Sequence, residues 1–120
     1  MTYNIFKILY NKNIILIISC KLSNWGFMRI ISRLDIKNNF VIKGINLEGL
    51  RKVGDPIDLA TNYYNSGIDE IILIDAVASL YNRNNLFNII EKISESIFIP
   101  LTLGGGIRSI KDIENALNSG

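Results

Sequence analysis

The sequence contains no histidine and only one cysteine, Cys20. Without histidine the chain lacks the side chain that most readily gains and loses a proton near neutral pH. Any general acid or base must therefore come from Asp, Glu, Lys, Tyr or Cys, with carboxylates foremost. A lone cysteine cannot close an internal disulfide, and no Cys or His pair has metal-ligand spacing. No metal and no cofactor is implied, and a reducing cytoplasm is the expected setting. Long runs of one charge are also missing. The 13 basic and 11 acidic residues are dispersed and leave a formal net charge of +2, which is not the basic patch that tracks a phosphodiester backbone. The apolar run Ile14–Ile18 falls well short of the roughly 20 residues that cross a bilayer. Neither nucleic acid nor membrane is an expected partner.

What is present is a chain built to fold: 48% of its residues are hydrophobic and 20% charged, the reverse of a disordered composition. Its 120 residues suffice for one modest domain, whereas a barrel of eight strand-helix units takes roughly 250. Lys7 and Lys12 before the apolar run and Ser19-Cys20 after it mimic a secretory signal ending in a lipidated cysteine. The regular pattern of elements starts only at Met28, and Trp25-Gly26-Phe27 fits no element. Residues 1–27 are therefore expected to be an extension outside the fold, and residues 28–120 the folded region.

From Met28 the elements alternate. Arg29 to Asp35 reads as a buried strand ending on a carboxylate, and Phe40 to Gly44 as a short extended run after the turn-prone Asn38-Asn39. Asp55-Pro56 opens a helix, as Asp caps well and Pro suits the first helical position, and Ser66-Gly67 closes it. Glu70 to Asp75 is an apolar run bounded by acids, as in a parallel strand buried on both faces. Asn85 to Ser96 carries Leu86, Ile89, Ile90 and Ile93 at helical spacing. A third apolar run, Ile97 to Leu103, ends in Gly104-Gly105-Gly106, and Ser109 caps a last helix. Alternating strands and helices imply an α/β fold with parallel strands. It is either a doubly wound sheet or a (β/α)8 barrel, and the absence of a Gly-x-Gly-x-x-Gly fingerprint weakens a dinucleotide-binding reading. The chain stops where a fourth strand would follow, so the expectation is the N-terminal part of a barrel, about three strand-helix units, with its C-terminal half missing.

In a barrel the C-terminal ends of the strands carry the chemistry. Asp35 and Asp75 fall there, as does Gly104 to Gly106. A carboxylate at that mouth can serve as general acid or base, or merely cap a turn. Gly105 and Gly106, followed by Arg108 and a helix N-terminus, can present N–H groups to a phosphate. Lys43, in the excursion after the first strand, can reach an anionic group or stand in solvent. Arg29 and Glu70 begin their strands, at the opposite rim, where charges usually serve stability.

Arg29-Ile-Ile-Ser-Arg-Leu-Asp-Ile-Lys37, Val41-Ile-Lys-Gly44, Gly54-Asp-Pro56, Ile74-Asp-Ala-Val-Ala-Ser79 and Ile99-Pro-Leu-Thr-Leu-Gly-Gly-Gly-Ile-Arg108 together resemble the cyclase subunit of imidazole glycerol phosphate synthase, from Met28 to the last residue. The resemblance implies a (β/α)8 barrel that takes ammonia from a glutaminase subunit on its N-terminal face. That ammonia would split a bis-phosphorylated ribulosyl formimino intermediate into imidazole glycerol phosphate and an aminoimidazole carboxamide ribotide. On this likeness Asp35 is a catalytic aspartate, Lys43 and Asp75 contact substrate, and Gly106 binds phosphate. Arg29 and Glu70 belong to the ring around the ammonia entrance. The family's second catalytic aspartate and second phosphate site fall in the missing half, so the chain alone is expected to be inactive.

There are departures. Arg33 stands where cysteine is common, and Asn38-Asn39-Phe40 replaces an Asp-Gly-Arg turn. With Leu47-Glu-Gly-Leu-Arg51 and Ala78-Ser-Leu-Tyr-Asn-Arg83, the wording resembles a divergent branch found with surface-polysaccharide genes, which implies ammonia delivery for amidino-sugar synthesis. A non-catalytic half-barrel that pairs with another half, or with itself, is the alternative from a different class, since three strands leave exposed edges.

Overall fold

The computed structural model describes residues 3–10, 13–20, 28–45, 49–77 and 84–120. In chain order these form Tyr3–Tyr10 (β1), Asn13–Cys20 (β2), Met28–Lys37 (β3), Phe40–Ile45 (β4), Gly49–Gly54 (β5), Pro56–Asn65 (α1), Glu70–Asp75 (β6), Asn84–Ser96 (α2), Leu101–Gly104 (β7) and Ile110–Asn118 (α3). Trp25-Gly26-Phe27, Leu47-Glu48 and Ala78 to Arg83 lie outside the described residues.

The parallel section β3, β6, β7 is the heart of the fold. Its register places Ile31 against Glu70 through Ile36 against Asp75, and Ile71 against Leu101 through Ile74 against Gly104. Side chains alternate along each strand, so Ser32, Leu34 and Ile36 of β3 share one face, as do Ile71 and Leu73 of β6. All five are buried. Onto that face α2 lays Leu86, Ile89, Ile90 and Ile93, spaced as one helical stripe and joined in a single core with Ala60 of α1. The helices also touch one another, α1 with α2 and α2 with α3. Helices along one face, with strand order following chain order, are what a barrel wall requires; a doubly wound sheet carries helices on both faces.

Local chemistry explains the helix ends. The Asp55 carboxylate accepts from the N–H groups of Ile57 (2.8 Å) and Asp58 (3.3 Å), and Pro56 occupies the first helical position. Gly67 closes the C-terminal end with a left-handed φ of 84°. Removing the cap in Asp55→Ala is expected to cost about 1 kcal/mol, read as a lower urea midpoint with an unchanged slope. At α3, Ser109 accepts from the Asp112 N–H while the Asp112 carboxylate accepts from the N–H groups of Arg108 (2.9 Å) and Ser109 (3.0 Å).

Ser32 is fully buried and its hydroxyl has no hydrogen-bond partner. An unpaired hydroxyl in an apolar layer costs free energy, so Ser32→Ala is expected to raise stability by about 1 kcal/mol. A rise of a few degrees in Tm would show this, and a fall would contradict it.

Two expectations need correction. Ile97 to Leu103 is not a single strand: the Ile97 N–H still bonds the Ile93 carbonyl at 3.0 Å, Phe98 is 81% exposed, and strand pairing begins only at Leu101. Pro100, which has no N–H to donate, marks the switch. The excursion after β3 is a full hairpin, since β5 pairs antiparallel with β4, and the Lys52 ammonium sits 3.0 Å from the Phe40 ring centroid. Ahead of Met28, β1 and β2 pair with one another, and β2 pairs antiparallel with β3. The Ile14–Ile18 run is too short for a bilayer but of a length that suits a strand. No helix among the described residues is long and apolar enough to cross a membrane.

One apolar surface is uncovered. Ile110, Ile113 and Leu117 lie on one side of α3, 76%, 47% and 75% exposed.

Candidate active site

The parallel register aligns the strand ends. Asp35 pairs with Ile74, Ile74 pairs with Gly104, and Asp75 lies one residue farther along β6. Asp35, Asp75 and the glycine segment therefore meet at one edge of the sheet, as the sequence led one to expect.

Asp35 stands on the β3 face opposite the core residues, next to Arg33 two residues earlier. The Arg33 Nε donates to Asp35 Oδ1 at 2.7 Å. Antiparallel pairing of Asp35 with Ile42 brings Lys43 alongside, across a turn whose Asn38 takes a left-handed φ of 55°. Asparagine tolerates that conformation better than most residues. An open recess results, lined among others by Arg33, Asp35, Lys43 and Tyr63. It offers an acceptor carboxylate beside two cationic groups, which is a setting for an anionic, proton-exchanging ligand.

The other predicted residues fall into place differently. Asp75 Oδ1 accepts from the Val77 N–H at 2.9 Å, so this carboxylate shapes the turn after β6. Gly105 and Gly106 both have left-handed φ, 91° and 64°. A Cβ at Gly105 would lie 2.5 Å from the Asp75 carbonyl oxygen and 3.0 Å from its nitrogen, so the glycine segment and the Asp75 backbone are in close approach. The capping box already engages the N–H groups of Arg108, Ser109 and Asp112.

Arg29 and Glu70 meet at the opposite end. The Arg29 Nη2 donates to Glu70 Oε2 at 2.7 Å, and the Thr102 hydroxyl donates to Glu70 Oε1, also at 2.7 Å. Glu70 thus ties the first residues of all three parallel strands together. Glu70 pairs with Ile31, four residues before Asp35 on β3, a distance of roughly 13 Å at 3.3 Å per residue.

Sequence reasoning missed the Arg33–Asp35 pair, although their i, i+2 spacing in a strand was a usable signal. Tyr63 and Thr102 gave no signal, because each joins its site through tertiary packing.

A model of the family described as histidine biosynthesis protein matches residues 29–120. The chain is 55% identical over 93 residues to the imidazole glycerol phosphate synthase subunit HisF of Legionella pneumophila, covering 78% of this chain and 44% of that protein. It is 47% identical over 92 residues to the protein of the same name from Methanocorpusculum labreanum, covering 77% of this chain and 34% of that one. The chain thus spans less than half the length of these curated relatives.

Proposed function

Because the chain belongs to the histidine biosynthesis protein family, whose fold is a (β/α)8 barrel, we propose that it forms the N-terminal part of an ammonia-dependent cyclase in histidine biosynthesis. The observation that carries this reading is the alignment of Asp35 and the glycine segment at the C-terminal ends of parallel strands, with Lys43 of β4 beside Asp35 and the Arg29–Glu70 pair at the other rim.

In this reading Asp35 is the general acid/base that moves protons during cyclisation, and the Arg33 guanidinium fixes the orientation of its carboxylate. Lys43 supplies positive charge to a phosphorylated substrate. The N–H groups of Gly105 and Gly106 receive a terminal phosphate ahead of α3. Asp75 supports the site through the turn it caps. The substrate is the bis-phosphorylated ribulosyl formimino aminoimidazole carboxamide ribotide, and the product is imidazole glycerol phosphate.

Ammonia comes from a glutaminase partner docked at the rim that holds Arg29 and Glu70, and travels along the inner face toward Asp35. Further strand-helix units complete the barrel and bring the second catalytic aspartate, so the described strands alone are inactive. The setting is cytoplasmic, and no metal or cofactor takes part.

Titration with inorganic phosphate tests the ligand class directly. The amide resonances of Gly105 and Gly106 are expected to shift while that of Arg29 stays in place. Uniform or absent shifts would sink the phosphate assignment.

A second reading rests on the Arg33–Asp35 ion pair, because an arginine occupies the place where the family commonly has cysteine. It assigns the chain to the branch that serves amidino-sugar synthesis. Failure of the complete gene to rescue a histidine auxotroph would favour this branch over the first reading.

A further inference from the structure

Strand β3 has two edges, and its backbone shows which neighbour owns each. The Asp69 N–H bonds the Ile30 carbonyl at 2.9 Å, the Ile30 N–H bonds the Asp69 carboxylate at 2.7 Å, and the Ala76 N–H bonds the Ile36 carbonyl at 2.8 Å. Even-numbered residues of β3 therefore present their backbone groups to β6. In a strand these groups alternate sides, so Arg29 and Ile31 present theirs to the opposite edge. That edge is occupied on both sides of Arg33-Leu34: β2 pairs with Met28 to Ser32, and β4 with Asp35 to Lys37.

A closed barrel has no free edges, and its first strand receives a parallel strand on the side away from the second. Here β3 is the first strand of the family match, which begins at Arg29, and β6 is the second. The hairpin lies outside that match, yet it occupies the position of the closing strand, antiparallel instead of parallel. One edge cannot pair with both.

We propose that residues 3–20 form an edge cap on β3, an intramolecular stand-in for the closing strand that must be released before a barrel can close over Met28 to Ser32. The cap satisfies backbone groups that would otherwise recruit another chain. It also makes closure a switch between two pairings of the same edge, a device independent of the catalytic reading.

The register makes the test specific. Antiparallel partners share hydrogen-bonding status, so Ile31 with Leu16 and Arg29 with Ile18 are the bonded pairs, and Ile30 with Ile17 is a non-bonded, closely spaced pair. In the unaltered chain, hydrogen exchange at the Arg29 and Ile31 amides is expected to be slowed by roughly 100-fold or more. Leu16→Pro, which removes a ladder donor, should return both to rapid exchange while Leu73 stays protected. With Cys20→Ser to remove the native thiol, the pair Ile17→Cys and Ile30→Cys should oxidise to a disulfide, whereas Ile17→Cys with Ser32→Cys should not. Rapid exchange at Arg29 and Ile31 in the unaltered chain overturns the proposal, and so does a folded Ile17/Ile30 dicysteine variant that stays reduced. Should a variant fail to fold, exchange in the unaltered chain decides alone.

Discussion

Asp35→Asn in the completed barrel is expected to lower ammonia-dependent turnover by about 10³-fold, within the range that positioned proton transfer contributes. The substitution keeps size and shape, and the amide oxygen can still accept from Arg33, which bonds Asp35 Oδ1 at 2.7 Å in the native chain. What it removes is the ability to hold and release a proton. Because the residue stands on the face opposite the core and is only half-buried, stability should move by less than about 0.5 kcal/mol. The loss belongs in kcat with KM little changed, since substrate is held by Lys43 and the glycine segment in this account. A drop of less than tenfold would remove Asp35 from the acid/base role and leave it as a partner of Arg33.

Gly105→Ala is expected to destabilise the fold by about 3 kcal/mol, combining a left-handed backbone with overpacking. With φ at 91° and a Cβ position 2.5 Å from the Asp75 carbonyl oxygen, the methyl group has no place to go unless the turn after β6 moves. Gly67 provides the internal control: its φ of 84° is similarly left-handed, but nothing lies within 4 Å of a Cβ there. Gly67→Ala should cost only about 1 kcal/mol. Urea unfolding of the two variants separates backbone strain from crowding, and equal losses would show that the approach to Asp75 is not tight.

The parallel section was legible because its signals are local. Asp55-Pro56 and Ser66-Gly67 announce α1, Glu70 to Asp75 announces β6, and the capping box at Ser109 announces α3. Asp35 and the glycine segment were found because strand ends become site positions once the strands are known to be parallel. Features that depend on partners distant in sequence were not legible. The run Ile97 to Leu103 looks like one strand, yet only Leu101–Gly104 pairs with β6. Gly49–Gly54 has little intrinsic strand character, and its strand exists because β4 offers an edge. Ile14–Ile18 shows that it needs pairing or burial but not against what, and the β3 edge is visible only in three dimensions. Asp75 could act as a catalytic or capping group on pattern alone, and the bond to the Val77 N–H shows the capping part.

The most direct test is to place residues 29–120 in the barrel of the Legionella pneumophila relative, in exchange for the matching segment, and to follow imidazole glycerol phosphate formation with an ammonium salt as nitrogen source. Identity of 55% over 93 residues makes the graft compatible with the remaining strands. If this chain carries the first half of a cyclase site, the graft turns over substrate and Asp35→Asn abolishes that turnover. A folded graft that binds phosphate at Gly105 and Gly106 yet forms no product would contradict the account.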